Sequence, residues 1–170
     1  MTDKLVTEQA LITHTQQWTV KNFSALPSQP GDSTFSEPFA AGGRLWRFKV
    51  YPGGKDDEHV GDVRLALVLV AGEQSPMRAK YEFAILTAAA ERICVRARPG
   101  KPFSLFRKPG VGFGDFIERK QLLDETKGFM LNDAVTFEVK LTIAGELKHF
   151  APAPAPGSSQ NTALAAVEQI

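Results

Sequence analysis

Hydrophobic and polar residues alternate along several short stretches of this chain, with a period of two. The clearest stretch is residues 135–143, where apolar side chains alternate with Thr, Glu and Lys. Residues 45–51 and 78–86 alternate in the same way, and residues 63–70 form a nearly continuous apolar run. Alternation is typical of a strand with one buried face, whereas a continuous apolar run indicates a strand buried on both faces.

Shorter apolar stretches between these segments predict further strands. Turn-forming Gly and Pro residues separate the stretches, and residues 121–125 predict a turn or one turn of helix. Strands at even spacing with almost no helical pattern indicate an all-β protein, an antiparallel β-sandwich of seven to eight strands. The additional short strands or extended pieces are predicted at residues 18–23, 35–39, 93–95, 103–106 and 111–116.

The two ends of the chain differ from this central region. Residues 1–14 predict a loose lead-in, and residues 15–145 hold the predicted sandwich domain. Residues 146–170 predict a linker and tail, because the alternating Ala and Pro residues at 151–156 favour an extended polyproline conformation. Residues 162–170 have a helical composition, but nine residues are marginal for an isolated helix.

Charge and composition exclude several classes of partner. The 170 residues include 20 basic and 19 acidic ones, so the net charge of +1 provides no field for nucleic acid or an anionic membrane. No apolar run is long enough for a membrane span or a signal peptide, so we expect a cytoplasmic or nuclear protein. Cys94 is the only cysteine, which excludes an internal disulfide and fits a reducing compartment.

A search for catalytic or metal-binding patterns yields none with the required spacing. The three histidines are far apart, and Cys94 on a predicted strand is expected to be a small buried apolar residue. The glycines of residues 110–114 precede neither a helix nor a Lys-Ser or Lys-Thr pair, so a phosphate loop is excluded. We therefore expect no catalytic residue, no metal and no cofactor. The acidic clusters at residues 56–58 and 124–125 are expected to be solvated turns.

Several motifs occur in one order along the chain and together resemble a known family. The first is Trp18-Thr19-Val20-Lys21-Asn22-Phe23-Ser24, followed by the alternating segment 78–86. Then come Gly112-Phe113-Gly114-Asp115-Phe116-Ile117, Leu122-Leu123-Asp124-Glu125 and a glycine loop ending in Asn132-Asp133. These segments resemble the MATH (TRAF-like) domain family, and residues 78–86 resemble the substrate-binding domains of speckle-type POZ (MATH-BTB) proteins.

The resemblance implies an eight-stranded sandwich that binds an extended peptide of a client protein in a shallow groove. Main-chain pairing to a strand edge would supply affinity, and side-chain pockets would supply specificity. The positions that match the family's groove are Val63, Tyr81, Phe103, Val111, Gly112 and Phe113. The alternative for Tyr81, Phe103 and Phe113 is that they are sandwich core, since every sandwich strand carries inward-facing apolar residues.

Three positions beside this groove depart from the related proteins. Val111 stands where they have Trp, Gly110 where they have Asp, and Pro109 where they have Lys. Trp is a frequent binding hot spot, and Pro109 has no N–H to pair with an added strand. We therefore expect a more apolar ligand, or a weaker one, than the Ser/Thr-rich peptides that those proteins bind.

The resemblance implies a non-enzymatic adaptor. A structural domain and an enzyme are the two alternative functions. Many such domains continue into a BTB domain that recruits a ubiquitin ligase, so the chain is expected to be part of a longer protein or a standalone adaptor. The competing hypothesis is a structural domain with a degenerate groove, which self-associates through its sheet edges or its tail. An enzyme is a third alternative, for which the sequence shows no constellation of residues.

Overall fold

The computed structural model of the chain describes residues 2–72, 77–97, 104–106 and 110–152, with residues 104–106 described by their backbone alone. These residues form strands β1 to β10, one short helix, α1 (Arg119–Leu123), and three short 3-10 turns. The strands are Val6–Val20, Thr34–Phe35, Phe39–Ala41, Arg44–Tyr51, Asp62–Gly72, Met77–Leu86, Arg92–Ala97, Ser104–Phe106, Gly110–Glu118 and Val135–Phe150. The 3-10 turns are Phe23–Ala25, Asp57–His59 and Glu125–Lys127. No helix in the described parts of the chain is long and apolar enough to cross a membrane.

The strands form two five-stranded sheets. The first sheet has the order β1-β10-β6-β7, and β8 pairs with another part of β6. The second has the order β2-β4-β5-β9, and β3 pairs with another part of β4. The pairings of β10 with β6 and of β4 with β5 are antiparallel, as are those of β9, β7 and the short strands. The predicted antiparallel β-sandwich is confirmed, but the described residues form ten strands rather than the expected seven to eight, because short strands pair with β4 and β6.

The core consists of the inward-facing residues of both sheets, with Phe rings at its centre. Phe83 of β6 is fully buried, and its ring centroid lies 6.4 Å from Phe48, 6.3 Å from Phe116 and 6.2 Å from Phe113. Most of these ring pairs are tilted or edge-to-face, the arrangement that the aromatic quadrupole favours. The alternation predicted for β4 is also confirmed, because Trp46, Phe48 and Val50 are buried there.

The motifs at the two ends of the domain fasten to each other. The backbone N–H of Phe23 donates to the carbonyl oxygen of Asp133 at 3.0 Å. The Asp133 carboxylate accepts from the backbone N–H of Ser24 at 3.0 Å and from its hydroxyl at 2.6 Å. Glu125 Oε1 in turn accepts from the backbone N–H of Asp133 at 3.2 Å. The Asn-Phe-Ser, Asp-Glu and Asn-Asp motifs therefore join the end of the first strand to the start of the last.

The ends of the chain differ from the prediction. Residues 6–14 were expected to be a loose lead-in, but they belong to β1, which begins at Val6. Residues 146–150 were expected to be linker, but β10 continues to Phe150. Local sequence pattern misses both extensions because β1 and β10 are neighbours in the sheet, and pairing between distant segments is not visible in either alone. The Ala-Pro segment beyond Pro152 and the predicted tail helix lie outside the described residues.

The chain divides into two compact units, of which the larger is Leu11–Ala144. The described residues of the smaller unit are 2–10 and 145–152, including the outer parts of β1 and β10. Within it, the side-chain amide of Gln9 donates to the carbonyl oxygen of Gly145 at 2.7 Å. Thr7 Oγ1 lies 3.1 Å from His149 Nδ1.

Candidate functional site

Strand β9 lies at the end of the second sheet and, within the described part of the chain, pairs only with β5. Phe113 lies opposite Leu65 and Val111 opposite Leu67 in this ladder, and both β5 residues are fully buried. Directly opposed residues of paired strands face the same side, so Phe113 and Val111 face inward. The register shifts between Val63 and Leu65, which is a bulge beside the strand edge.

The inward side of β9 meets the aromatic residues of β6. The ring centroid of Phe113 lies 5.8 Å from Tyr81 and 6.2 Å from Phe83. Phe113 and Val111 are half-buried and pack against the core, whereas Tyr81 is only 6% exposed. We call the half-buried segment of residues 110–114, with Tyr81 beneath it, the β9 edge. It combines a strand edge with an apolar floor.

Gly112 allows β9 to approach β5 closely. A Cβ atom at this position would lie 2.2 Å from the carbonyl oxygen of Leu65 and 2.6 Å from the Cα of Ala66. Both are backbone atoms that cannot rotate away, so any side chain at 112 would push the strands apart. The glycine therefore sets the position of the β9 edge relative to the rest of the sheet.

Residues of β7 close one end of the β9 edge. The Sγ of Cys94 lies 3.5 Å from the carbonyl oxygen of Phe116, and Nε of Arg96 donates to the same oxygen at 3.4 Å. Burial raises the pKa of the Cys94 thiol, and Arg96 opposes that shift only in part. A thiol with a raised pKa is a poor nucleophile at neutral pH. Cys94 thus contacts β9 from β7, at a point where Phe116 and Ile117 are buried.

The structure places the six predicted groove residues in different environments. Val111, Gly112 and Phe113 are half-buried on β9, and Tyr81 lies beneath Phe113. Val63 is fully buried in the core, so it supports the sheet from inside and presents no surface to a ligand. Phe103 and Pro109 lie outside the described residues. The structure therefore brings four of the predicted residues together: Tyr81, Val111, Gly112 and Phe113.

Sequence reasoning missed two contributors to this region, Phe83 and Arg96. The alternation of β6 places Phe83 on the same face as Tyr81, which could have indicated its role in the floor. No local signal reveals Arg96, because its contact with Phe116 joins strands of different sheets.

The histidines and acidic residues that could have carried chemistry make contacts within the domain. His14 stacks on Phe39 with ring centroids 5.7 Å apart, and His59 is hydrogen-bonded to Asp56. That hydrogen bond lowers the pKa of the Asp56 carboxyl. The Thr126 hydroxyl donates to Asp124 Oδ1 at 2.6 Å and the Thr126 N–H donates to it at 3.0 Å, and these two hydrogen bonds lower the pKa of the Asp124 carboxyl. Among the described residues, no three His, Cys, Asp or Glu side chains are grouped so as to hold a metal ion.

Comparison with protein families agrees with this architecture. A family model described as the MATH domain matches residues 15–141 of the 170. The matched region runs from the middle of β1 into β10 and includes all of β9. The motifs at both of its ends are those that fasten the first strand to the last.

Proposed function

Because the chain belongs to the MATH domain family of protein-interaction modules, we propose that it binds a short extended segment of a client protein at the β9 edge. The binding mode is strand addition, in which the client segment pairs through its main chain with residues 110–114. In this mode, main-chain hydrogen bonds supply affinity and alternate side chains enter pockets along the strand.

One observation carries this proposal: β9 offers both a strand edge and an apolar floor. Within the described chain, β9 pairs with β5 alone, and Phe113 and Val111 are half-buried rather than enclosed. The Phe113 ring rests on Tyr81, and Tyr81 on Phe83, with centroids 5.8 Å and 5.5 Å apart. These tilted and edge-to-face contacts restrict the rings, so little side-chain entropy is lost when a ligand packs on them.

The residues of the β9 edge favour an apolar client segment. Gly110 and Gly112 have no side chain, and Val111 contributes only an aliphatic surface. A polar ligand group buried here would lose hydrogen bonds to water without gaining charged partners from these residues. A client with aliphatic or aromatic residues at alternate positions therefore fits better than a Ser/Thr-rich one. As part of a longer protein, the domain would deliver this client to ubiquitin-ligase machinery.

The test is an amide NMR titration of the labelled chain with a panel of apolar and Ser/Thr-rich peptides. We expect saturable shifts at residues 110–114 and Tyr81, largest for an apolar peptide. The Val111→Thr variant, which keeps the side-chain shape, should weaken binding by about threefold to tenfold through the loss of apolar contact. Val70→Thr, at an exposed position on β5, is the matched control and should bind as the wild type does.

Two results would contradict the proposal. One is the absence of shifts at millimolar peptide in a well-folded sample. The other is saturable shifts that lie away from β9 and are unchanged by Val111→Thr. A retained wild-type spectrum in the free variant would show that any loss of binding is not a loss of folding.

A second candidate function, self-assembly, is favoured by the opposite edge of the sandwich. In the described residues β1 pairs only with β10, and its Leu11 and Ile12 are 56% and 46% exposed. Exposed apolar residues on an edge strand are a typical site of strand-to-strand association. Light scattering over a range of concentrations distinguishes the two functions: a mass that rises without peptide supports self-assembly, and a constant monomer mass excludes it.

A further inference from the structure

The outer face of the second sheet carries a cluster of cationic and aromatic side chains remote from the apolar core. Arg47, Lys49 and Tyr51 alternate with buried residues along β4, so all three face outward. In the strand register, Lys49 lies opposite Phe35 of β2, and Tyr51 lies opposite Arg64 of β5. We call these five residues the basic face.

The aromatic rings hold the cations of the basic face in place. The guanidinium carbon of Arg47 lies 3.7 Å from the centroid of the Phe35 ring. Lys49 Nζ lies between two rings, 5.0 Å from the centroid of Phe35 and 4.8 Å from that of Tyr51. Cation–π contact at these distances is attractive and restricts long, flexible side chains. The positive charges of Arg47 and Lys49 are therefore positioned before any partner binds.

Among the described residues, no neighbouring acid neutralises the cations of the basic face. In the described part of the chain, Arg47, Lys49 and Arg64 form no ion pair with a carboxylate. Nε of Arg47 is buried and has no hydrogen-bond partner among these residues. The acids at this end of the sheet, Asp62 and Glu118, lie opposite each other beyond Arg64.

The first sheet provides a contrast within the same molecule. There, Arg92 forms ion pairs with Glu82 at 2.5 Å and with Glu138 at 2.7 Å. Lys140 lies opposite Glu82 in the same sheet. Arg92 and Lys140 on the first sheet thus have acidic neighbours, whereas the described part of the chain gives the cations of the basic face no ion pair.

We propose that the basic face binds an acidic segment of a protein partner, at a second site distinct from the β9 edge. Arg47 and Arg64 suit carboxylates because a guanidinium can donate two parallel hydrogen bonds to one carboxylate. Phe35 and Leu45, 39% and 40% exposed, offer apolar contact to a hydrophobic residue between the acids. Arg47 and Lys49 against aromatic rings, with Arg64 opposite Tyr51, match a short acidic stretch. The net charge of +1 provides no extended field for nucleic acid.

The test uses the full chain and two capped eight-residue peptides. The first is a run of Glu residues with a single Phe at its centre, so it lacks the alternating apolar residues expected of a β9-edge ligand, and the second replaces every Glu with Gln. We expect the acidic peptide to shift the amides of Phe35, Arg47, Lys49 and Arg64 in an NMR titration, and to bind more weakly as salt is raised. Arg47→Gln and Lys49→Gln should each weaken binding by about twofold to fivefold, as for exposed ion pairs. Lys140→Gln removes the same charge from the first sheet and should have no effect.

Three outcomes would overturn this proposal. Equal binding of the Gln peptide would show that charge is not recognised. Equal weakening by Lys140→Gln would show a non-specific field effect. Tighter binding of an eight-nucleotide single-stranded DNA through the same residues would identify a nucleic-acid surface instead. Val111→Thr separates this site from the β9 edge, because it should leave binding of the acidic peptide unchanged.

Discussion

Gly112 shows how a single residue determines the geometry of the proposed binding edge. Its neighbours across the ladder are backbone atoms of Leu65 and Ala66, and a Cβ would overlap them. Phe113, the next residue, faces inward onto Tyr81. The Gly-Phe pair thus has two physical roles, since the glycine lets the strand approach and the phenylalanine forms the floor.

Two glycines of β9 should respond differently to the same substitution. Gly112→Ala should lower the free energy of unfolding by about 2–3 kcal/mol, because the backbone of β5 must shift to admit a methyl group. Gly110→Ala should change it by less than about 0.5 kcal/mol, since the added Cβ would lie 3.6 Å from the Leu67 carbonyl oxygen, an ordinary contact. Urea unfolding of both variants checks this difference. Equal stabilities of the two variants would contradict the close approach of β9 to β5 at Gly112.

At the level of single residues, sequence alone separated core from edge incompletely. Val63 matched a groove position, yet it is fully enclosed in the core together with Leu65 and Leu67 of the same strand. The apolar run of β5 was expected to be buried on both faces, but Val70 near its end is exposed. The sequence was compatible with Phe113 and Tyr81 lying either in the core or in the groove. In the structure, Phe113 is half-buried and Tyr81 is nearly enclosed. Apolar character indicates that a side chain packs against other residues of the domain. The exposed fraction of that side chain depends on which neighbouring strands cover it.

At the level of elements, the motifs that carry the family resemblance at the two ends of the domain hold those ends together. The carboxylate of Asp133 accepts two hydrogen bonds from Ser24, and its backbone N–H donates to Glu125. Asp133 has a positive φ of 57°, a conformation that Asp tolerates better than most residues. The motifs that carry the family resemblance at Asn22–Ser24 and Asn132–Asp133 are therefore structural, whereas Gly112 and Phe113 belong to the proposed site.

Removing the Asp133 carboxylate should therefore destabilise the domain without touching the β9 edge. We expect Asp133→Ala to lower the free energy of unfolding by about 1–2 kcal/mol, through the loss of two hydrogen bonds to Ser24. Asp57→Ala, an exposed acid in the 3-10 turn before β5, is the control and should change stability by less than about 0.5 kcal/mol. Thermal and urea unfolding measure both. If Asp133→Ala were as stable as the control, the two motifs would not hold the ends of the domain together.

The lengths of strands β1 and β10 were predicted less well than those of the central strands. Strands β4, β5 and β6 were predicted to within about two residues, because their buried faces impose a clear alternation. The early part of β1 has adjacent apolar residues, Leu11 and Ile12, and both are exposed, so no alternation exists to detect. The end of β10 similarly has only exposed residues from Gly145 onward. Strand formation there depends on a neighbouring strand rather than on burial of one face.

At the scale of the whole molecule, the second sheet offers two surfaces of opposite character. The β9 edge presents aliphatic and aromatic surface along a strand, whereas the basic face presents ordered cations on the outer side of β4 and β5. Apolar burial is insensitive to moderate salt, whereas attraction between exposed charges weakens as salt rises. Two ligands bound at these surfaces should therefore be distinguishable by their salt dependence alone.

The central claim is that a client segment adds to β9 as a strand, and amide hydrogen exchange tests it most directly. Exchange should be measured on the chain alone and with a saturating amount of the apolar peptide that gives the largest NMR shifts. Main-chain pairing would slow exchange at residues 110–114 by about tenfold or more, because newly bonded amides exchange only when the complex opens. Slowed exchange confined to other parts of the sandwich, with residues 110–114 unchanged, would contradict strand addition at the β9 edge.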